Sequence, residues 1–557
     1  MSKKLSFLGL GLSLLMAPYT EALAATYEMP DAGVIASDIN TDRKWAPKED
    51  KDEVEVNIDL GQQKLADNKI KVKVKKLQIN GNTVFSTQKL MEQVEHLITP
   101  QMTFNDMLTV SQAITDYYRA HGYMTTIAYL PTQNITEGIV RIDVMEGAYG
   151  NISFDNTSEL LTSRAKGLTH SAHKDRVINK HELDRLLLIL NDIPGVKGHA
   201  FLSPSASRGE ADTVFKLTTT ETNGGFIYAD NFGNHYTGRN RIGALYHWNN
   251  LSHVGDQLQL GYMHSTQYND LQNYSIKYEL PVFNYGTIAS LEYFRTDYEL
   301  GEKYRPLHAY GKSDTFRLAT RTPLKRTLDN NLYFRFNVGY TRLTDRIGFW
   351  NTDSKKHLYG IRFGLDGDYR TKWFASSYKV MHTIGRAVMD TTYAKDGDVL
   401  GTEGGYQKTN FDFYYIQKIN NTLTAHLTLS GQKSWNNLDS SEKFFIAGYN
   451  GVRAFPQGEA SGDDGFFGSL ELRQALGNSN FKLAAFYDVG WVNMVHDNPF
   501  GNSESRYLQG AGLGLIYQQP GDWYARIDYA TPVGNRYSNS YGHDMNGIWW
   551  FQAVKKI

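Results

Sequence analysis

The feature that most constrains the fold is an alternation of apolar and polar residues that begins near residue 221 and runs to residue 557. Because neighbouring side chains of a β-strand point to opposite faces, this alternation predicts strands with one apolar and one polar face. The apolar positions are often aromatic. The clearest runs are Tyr274, Ile276, Tyr278 and Leu280; Leu332, Phe334, Phe336, Val338 and Tyr340; Leu423, Ala425, Leu427 and Leu429; and Trp523, Ala525, Ile527 and Tyr529.

A soluble β-sandwich would show the same alternation, so other features must decide between it and a membrane barrel. The segment has no helical period, and its predicted strands are about 10 residues long, as a tilted bilayer crossing requires. Tyr, Phe and Trp cluster near the strand ends, as they do at membrane interfaces. Only a closed barrel satisfies every backbone hydrogen bond in lipid. We therefore predict a transmembrane β-barrel of about 16 antiparallel strands over residues 221–557.

The composition excludes several classes of protein. The 557 residues include no cysteine, which rules out a disulfide scaffold, a zinc finger, an iron–sulfur protein and a thiol enzyme. The net charge of −1 argues against a nucleic-acid partner. The mean hydropathy of −0.47 argues only against helical membrane proteins. The histidines form no His-x-x-x-His or His-Glu-x-x-His cluster, so we expect no metal and no cofactor.

Residues 1–24 have the pattern of a secretory signal peptide. Two lysines precede an apolar stretch over residues 5–16, and Ala22-Leu23-Ala24 supplies a cleavage site. The alternative, a transmembrane anchor, needs a longer apolar run of roughly 20 residues. A large exported chain without cysteine fits the bacterial outer membrane, with its non-barrel part in the periplasm.

Residues 25–45 are predicted to contain a short helix, and residues 46–71 a linker. Apolar residues fall on one face of the helix, next to a single carboxylate. These four positions are Val34, Ile35, Asp38 and Ile39. A disordered N-terminus is the alternative for the helix. The charged run at residues 48–53 is typical of a linker.

Residues 72–220 show a different pattern, in which short strands alternate with helices. The order β-α-α-β-β occurs once over residues 72–147 and again over residues 148–220, with low sequence identity between the two units. Helical periodicity with an apolar face and glycine-containing turns support each assignment. The sequence therefore predicts two small α/β domains in tandem ahead of the barrel.

The motif residues of the first unit are Gly81, Asn82, Thr83, Gly122, Tyr123, Tyr129, Leu130, Pro131, Glu146 and Gly147. These motifs resemble those of the POTRA domains of two-partner secretion transporters, the TpsB family. This family belongs to the superfamily that includes the outer-membrane assembly protein BamA. The motif Leu-Asn-Asp-Ile-Pro-Gly-Val at residues 190–196 is similar to the matching segment of the family's second POTRA domain.

Two motifs in the barrel region extend the resemblance. The first resembles the tip of a long loop, around residues 446–465, that folds back into the barrel in this family. The second resembles a Phe-x-Asp-x-Gly motif of the barrel wall. The loop residues are Val452, Arg453, Ala454 and Phe455, and the wall residues are Phe486, Asp488 and Gly490. The resemblance implies that the loop arginine, Arg453, pairs with the wall aspartate, Asp488.

The chain departs from the family pattern at two positions. Ala454 stands where the family has glycine, and alanine would be strained there if the turn required a positive φ. The last residue is Ile557 where the family usually ends in phenylalanine, and assembly machinery reads that end.

The resemblance implies a function in export. The barrel would pass a large secreted partner protein from the periplasm to the cell surface, without ATP, after the POTRA domains bind the unfolded partner's N-terminal secretion domain. The short helix would act as a removable plug. Outer-membrane lipid, the barrel assembly machinery and periplasmic chaperones are the other expected partners, and nucleic acid is not.

Other functions remain as alternatives at this stage. A barrel insertase of the BamA type would share the fold but carry more POTRA domains. A diffusion porin needs no POTRA domain, and an outer-membrane enzyme needs a catalytic pair that does not stand out here. We therefore expect no enzymatic activity. The partner could be an adhesin, a haemolysin, a haem-binding protein or a contact-dependent inhibition toxin.

Overall fold

The computed structural model describes most of the chain. The predicted signal peptide, residues 1–24, and most of the predicted linker lie outside the described residues. In the described part, no helix is long and apolar enough to cross a membrane. The structure describes residues 29–39, 56–57, 71–135, 137–221, 223–267, 271–499, 501 and 504–557.

Sixteen antiparallel strands close into a barrel, in which each strand pairs with its neighbour in the chain and the last pairs with the first. The predicted barrel of about 16 antiparallel strands is therefore confirmed. The strands are Asn223–Asp230, Arg241–Asn249, Gln257–Ser265, Leu271–Val282, Thr287–Glu299, Ala309–Lys325, Asn330–Ile347, Thr352–Arg370, Phe374–Met389, Gly404–Lys418, Leu423–Ser434, Asp464–Ala475, Phe481–Asn493, Ser505–Gln518, Trp523–Pro532 and Ile548–Lys556.

The barrel wall follows the predicted alternation. Phe334, Phe336 and Val338 are exposed on the outer face, where lipid lies, while Arg335 and Asn337 between them are half-buried on the lumen face. The middle strands are longer than a bilayer crossing needs, since one of them has 19 residues. The barrel also carries a short helix in an outer loop, Thr392–Gly397, which the sequence analysis did not predict.

The first and last strands pair over five residues, from Phe226 with Lys556 to Asp230 with Gln552, and Gly225 and Ile557 exchange two further backbone hydrogen bonds at 2.9 and 3.0 Å. The side chain of Asn231 continues the pairing beyond that point. Its amide N–H donates to the carbonyl oxygen of Trp549 at 2.8 Å, and its Oδ1 accepts from the backbone N–H of Phe551 at 2.8 Å. The backbone N–H of Asn231 also donates to the Phe551 carbonyl oxygen at 3.2 Å, so the asparagine extends the outer end of this seam through both its backbone and its side chain.

The first POTRA domain has a three-stranded sheet packed on two helices. Each helix begins at a capping residue: the Ser86 hydroxyl accepts from the N–H of Lys89, and Thr103 forms a capping box with Asp106. Its core contains Leu90, Val94, Ile114, Tyr118 and Ile142. The helices are Thr87–Val94, Glu95–Leu97 (a 3₁₀ turn) and Phe104–Ala120, and the strands are Lys71–Lys73, Lys76–Asn80, Gln101–Thr103, Ile127–Tyr129 and Ile139–Met145.

The second POTRA domain repeats this plan around a leucine-rich helix. Part of the predicted linker is not free: Val56–Asn57 forms a short parallel strand beside Ala200 and Phe201. Backbone pairing at a sheet edge needs no apolar side chains, which explains why a polar linker can take part. The helices are Thr162–Leu168 and Lys180–Asn191, and the longer strands are Ala148–Asn156, Val196–Pro204 and Glu210–Thr219.

The second POTRA domain is docked on the periplasmic turns of the barrel. Asp192 accepts two hydrogen bonds from the guanidinium of Arg326, at 2.8 and 2.9 Å. The N–H of Leu161 donates to the carbonyl oxygen of His253 at 2.8 Å. The close packing of Ile189 against Gly286 leaves little room for a side chain there. These contacts set the orientation of the domain at the barrel entrance.

Candidate functional site

The candidate site is built by a long loop that enters the barrel. The loop joins strands Leu423–Ser434 and Asp464–Ala475 on the side away from the POTRA domains. Its tip, residues 452–455, is buried, and so is the segment around Ile446. A loop this deeply buried fills part of the barrel lumen.

Arg453 at the loop tip binds Asp488 of the barrel wall. Arg453 Nε donates to Oδ2 of Asp488 at 2.8 Å, and Nη2 donates to Oδ1 at 2.8 Å. The backbone N–H of Arg453 also donates to Oδ2, at 3.2 Å. Asp488 is fully buried and Arg453 is 6% exposed. Two parallel hydrogen bonds fix both the position and the orientation of the loop tip.

Four further charged residues surround this pair, and the sequence analysis missed them all. Arg453 Nη1 donates to Glu471 at 2.8 Å and lies 3.6 Å from Asp528. Glu471 also accepts from Arg473 at 2.5 Å and from Arg526 at 2.9 Å. Arg526 Nε donates to Asp528 at 2.8 Å. Three arginines therefore face three carboxylates, and their charges balance.

These four residues were hard to find in the sequence because lumen-facing charges are common in a barrel. Glu471 and Arg473 alternate with Leu470 and Leu472, as many other charged residues alternate with apolar ones. Arg526 lies two residues before Asp528 in the same pattern. Only the position of the loop tip distinguishes them from other lumen residues.

Aromatic residues complete the environment of Arg453. Its guanidinium carbon lies 3.3 Å from the ring centre of Phe486, a cation–π contact. The indole N–H of Trp550, on the last strand, donates to the backbone carbonyl oxygen of Arg453 at 2.7 Å. Phe455 is fully buried in the same cluster. The loop tip is thus bound by two different parts of the wall.

Small residues let the loop tip approach the wall. Ala454 is not among the described residues with a positive φ, so the strain considered for alanine at this position is not present. A Cβ at Gly510 would lie 2.5 Å from the Cβ of Ala454, and one at Gly490 would lie 3.1 Å from Val452. The missing side chain at position 510 leaves the space that the Ala454 methyl group occupies.

The two arms of the loop are also held by buried ion pairs. Lys443 lies on the arm that follows strand Leu423–Ser434, and Asp463 on the arm that leads into strand Asp464–Ala475. The Nζ of Lys443 lies 2.9 Å from Asp463, so this pair joins the two arms. Glu459 binds Arg506 of the wall and accepts from the Ser538 hydroxyl at 2.7 Å. Because Ser538 belongs to the last outer loop, two outer loops are tied together at Glu459.

The short N-terminal helix, Ala32–Ile39, lies inside the barrel. Val34 and Ile35 are each 1% exposed and pack with lumen residues of the wall, such as Leu343. The backbone N–H of Ala32 donates to Oδ1 of Asp345 at 2.6 Å. The side chains of the other two predicted plug residues, Asp38 and Ile39, lie outside the described ones.

The POTRA motif residues form a structural unit around Glu146. Its carboxylate accepts from the backbone N–H groups of Thr83 and Val84, at 2.8 and 2.9 Å, and from the hydroxyl of Thr83. It also accepts from the Tyr118 hydroxyl at 2.6 Å. Burial raises the pKa of Tyr118, and the hydrogen bond to Glu146 raises it further, so the hydroxyl stays protonated and donates.

The other motif residues serve turns and the contact between the two POTRA domains. Gly81 has a φ of 81°, and a Cβ there would lie 2.3 Å from the Val144 carbonyl oxygen. The carbonyl oxygen of Gly122 accepts from the N–H of Lys180 in the second domain, at 2.8 Å. Asn82 lies in the same turn as Gly81, and Tyr123 follows the end of the helix Phe104–Ala120. Tyr129 ends its strand and is followed by Leu130 and Pro131, and Gly147 lies at the junction of the two domains.

The predicted residues therefore fall into three separate places. The loop and wall residues come together in the lumen, the helix lies against the wall toward the outer side, and the POTRA motifs lie in the periplasm. In the part that the structure describes, no group of three or more histidine, aspartate or glutamate side chains is arranged to hold a metal ion.

Comparison with known families decides the identity. Residues 209–517 match the family of haemolysin secretion/activation proteins ShlB/FhaC/HecB, and residues 72–147 match the ShlB-type POTRA domain. The chain belongs to the ShlB/FhaC/HecB family. Like the TpsB transporters of this family, it is an outer-membrane protein that exports a partner protein.

A curated relative and two solved structures are similar to this chain, and the structures share its fold. The chain is 27% identical over 481 residues to the heme/hemopexin transporter protein HuxB of Haemophilus influenzae, covering 84% of each. The solved structure of CdiB from Escherichia coli is similar with a TM-score of 0.72 at 18% identity, over 89% of this chain and 93% of that one. BamA from Haemophilus ducreyi, lacking POTRA domains 1–3, gives a TM-score of 0.51 at 14% identity, over 87% and 100%.

Proposed function

We propose that Arg453 and Asp488 form a lock that holds the inward loop in the resting pore and opens during export. The observation that carries this proposal is the bidentate pair itself, with Asp488 fully buried. Val452, Ala454 and Phe455 of the tip pack against Gly490, Gly510 and Phe486 of the wall. The balanced charge cluster allows this loop to sit in the lumen without an unpaired buried charge.

The POTRA domains would receive the unfolded partner through its N-terminal secretion domain. In the described residues, Lys76–Asn80, Ile127–Tyr129 and Ala148–Asn156 are edge strands of their sheets. An extended peptide can add a strand at such an edge, where backbone hydrogen bonds supply affinity without a fixed sequence. The pairing of Val56–Asn57 with Ala200 and Phe201 supports this route, because it is an added strand at the edge of a POTRA sheet.

The helix Ala32–Ile39 would act as a removable plug. Val34 and Ile35 bury their side chains in the lumen, and Asp38 and Ile39 belong to the same helix. Deletion of residues 25–45 should raise the conductance of the pore in a planar lipid bilayer. Unchanged conductance after this deletion would contradict the plug role.

The transport itself would need neither ATP nor a cofactor, and the protein would have no enzymatic activity. Folding of the partner outside the cell would supply the driving free energy. The name of HuxB makes a haem- or hemopexin-related partner one candidate for export. Periplasmic chaperones and the barrel assembly machinery would act only during insertion, when the last strand, Ile548–Lys556, is recognised.

Site-specific photo-cross-linking tests the proposed reception of the partner. A cross-linker at the exposed residue Gln78, on the edge strand, should capture the partner's N-terminal segment during export. The matched control is Glu92, which is exposed on the helix face of the same domain. Equal capture at both positions, or export with no capture at any POTRA edge, would contradict this route.

A further inference from the structure

The plug helix and the inward loop meet at one carboxylate. Oδ2 of Asp31, which directly precedes the helix, accepts from the Ser440 hydroxyl of the loop at 2.6 Å and from Lys356 Nζ of the wall at 2.7 Å. Its Oδ1 accepts from the backbone N–H of Val34 at 2.9 Å, so Asp31 also caps the helix. A single side chain therefore joins the helix, the loop and the wall.

Lys356 makes the same connection from the wall side. Its Nζ lies 2.7 Å from Asp31 and 2.7 Å from Oδ2 of Asp439, the residue before Ser440 in the loop. Asp439 is 4% exposed and Lys356 is 8% exposed. Two carboxylates, one from the helix segment and one from the loop, share this lysine. Departure of Asp31 would remove one partner from a buried charge, which is costly.

The loop arm that carries Asp439 and Ser440 leads to the lock. The 3₁₀ turn Ser440–Glu442 packs beside the helix, and Glu442 is paired with Lys408 of the wall at 2.7 Å. The next residue, Lys443, is paired with Asp463 on the other arm. Arg453 lies further along the same loop. A change at Ser440 can therefore reach the lock along the backbone of the loop, whose first residues are held to the wall and to the other arm by these two buried ion pairs.

We propose that the plug helix and the loop lock are thermodynamically coupled through Asp31, Lys356 and Ser440. Release of either element then lowers the free-energy cost of releasing the other. The inference rests on the proposed plug and lock roles and adds their regulation. A partner protein that displaces the plug helix or the inward loop also loosens the other element. Such coupling must be reciprocal, so each element reports on the other.

Two readouts follow the two elements in the full-length protein. Because the chain has no cysteine, Ala36→Cys supplies a single thiol, buried while the helix is in the lumen and open to a maleimide once it leaves. Hydrogen exchange of residues 446–455 follows the loop. Asp31→Asn keeps the size of the side chain but removes its charge, and Lys356→Gln is a second variant that removes the bridge from the wall.

We expect Asp31→Asn and Lys356→Gln each to speed exchange in the loop by at least about fivefold, the lower end of usual coupling. Arg453→Ala, which opens the lock, should speed thiol labelling at position 36 by a similar factor. In each readout, the acceleration in the double variant Asp31→Asn/Arg453→Ala should be smaller than the product of the accelerations in the two single variants. The control is Asp366→Asn, which breaks wall pairs with Arg321 and Arg335 and should leave both rates at the wild-type value.

Two outcomes would overturn the coupling. Faster thiol labelling in Asp31→Asn with loop exchange at the wild-type rate would show that the helix leaves without loosening the loop. The plug role would stand in that case, since pore conductance tests it separately. If the accelerations of the two single variants multiply fully in the double variant, the plug helix and the inward loop are released independently.

Discussion

Ala454 at the loop tip lies directly against Gly510 of the barrel wall, where an added Cβ would come within 2.5 Å of the Cβ of Ala454. A chain with alanine in the loop motif therefore needs glycine at this wall position. The pair explains how the loop tolerates a residue other than the family's glycine, because the space comes from the wall and the backbone need not adopt a positive φ.

Gly510→Ala should destabilise the seated loop by about 1–3 kcal/mol, the usual cost of an overpacked methyl group. Adding Ala454→Gly to the Gly510→Ala variant should restore the stability of the seated loop. Hydrogen exchange of residues 446–455 measures the effect. Gly339→Ala is the matched control, since its Cβ would meet only one atom, at 3.8 Å. The absence of rescue by Ala454→Gly would show that another contact limits position 510.

Glu146→Gln should destabilise the first POTRA domain by about 1.5–3 kcal/mol, because the carboxylate accepts hydrogen bonds that depend on its charge. Tyr118→Phe removes only one of these bonds and should have a smaller effect. Hydrogen exchange of residues 72–147 in the full-length protein is the measurement. Equal effects of both variants would contradict a central role for the carboxylate.

Arg326→Ala should loosen the second POTRA domain from the barrel, because Asp192 then loses its bidentate partner at the barrel entrance. Faster hydrogen exchange at residues 189–195 and 281–288 would report the change. A surface pair, Arg141 with Asp143, provides the control, since exposed ion pairs contribute only about 0–1 kcal/mol. If Arg141→Ala loosened the same segments equally, the docking contact would not be specific.

The barrel was predictable because each strand repeats one simple pattern. Phe334, Phe336 and Val338 face lipid as their spacing indicates, and the number of strands follows from the length of the segment. The motifs also identified Arg453 and Asp488 before any geometry was known. Local sequence therefore carries the period of the wall and, through the family resemblance, the two residues that pair at the loop tip.

The rest of the site depends on contacts between distant parts of the chain. Glu471 binds both Arg453 and Arg526 only because the loop folds back into the lumen and the curved wall brings side chains of non-adjacent strands together there. Asp31 reaches Ser440 across the lumen, and no local pattern marks either residue. The short strand Val56–Asn57 was missed for the same reason, since a polar segment pairs through its backbone.

Export by Arg453→Ala, compared with Arg335→Ala at equal surface levels, tests the lock most directly. Both variants remove a lumen arginine paired with a buried wall aspartate, but only Arg453 belongs to the loop. The amount of partner released into the medium per unit time is the measurement. We predict a loss of at least about tenfold for Arg453→Ala, which corresponds to only about 1.4 kcal/mol, and wild-type export for Arg335→Ala. Export by Arg453→Ala at the wild-type rate would contradict the lock.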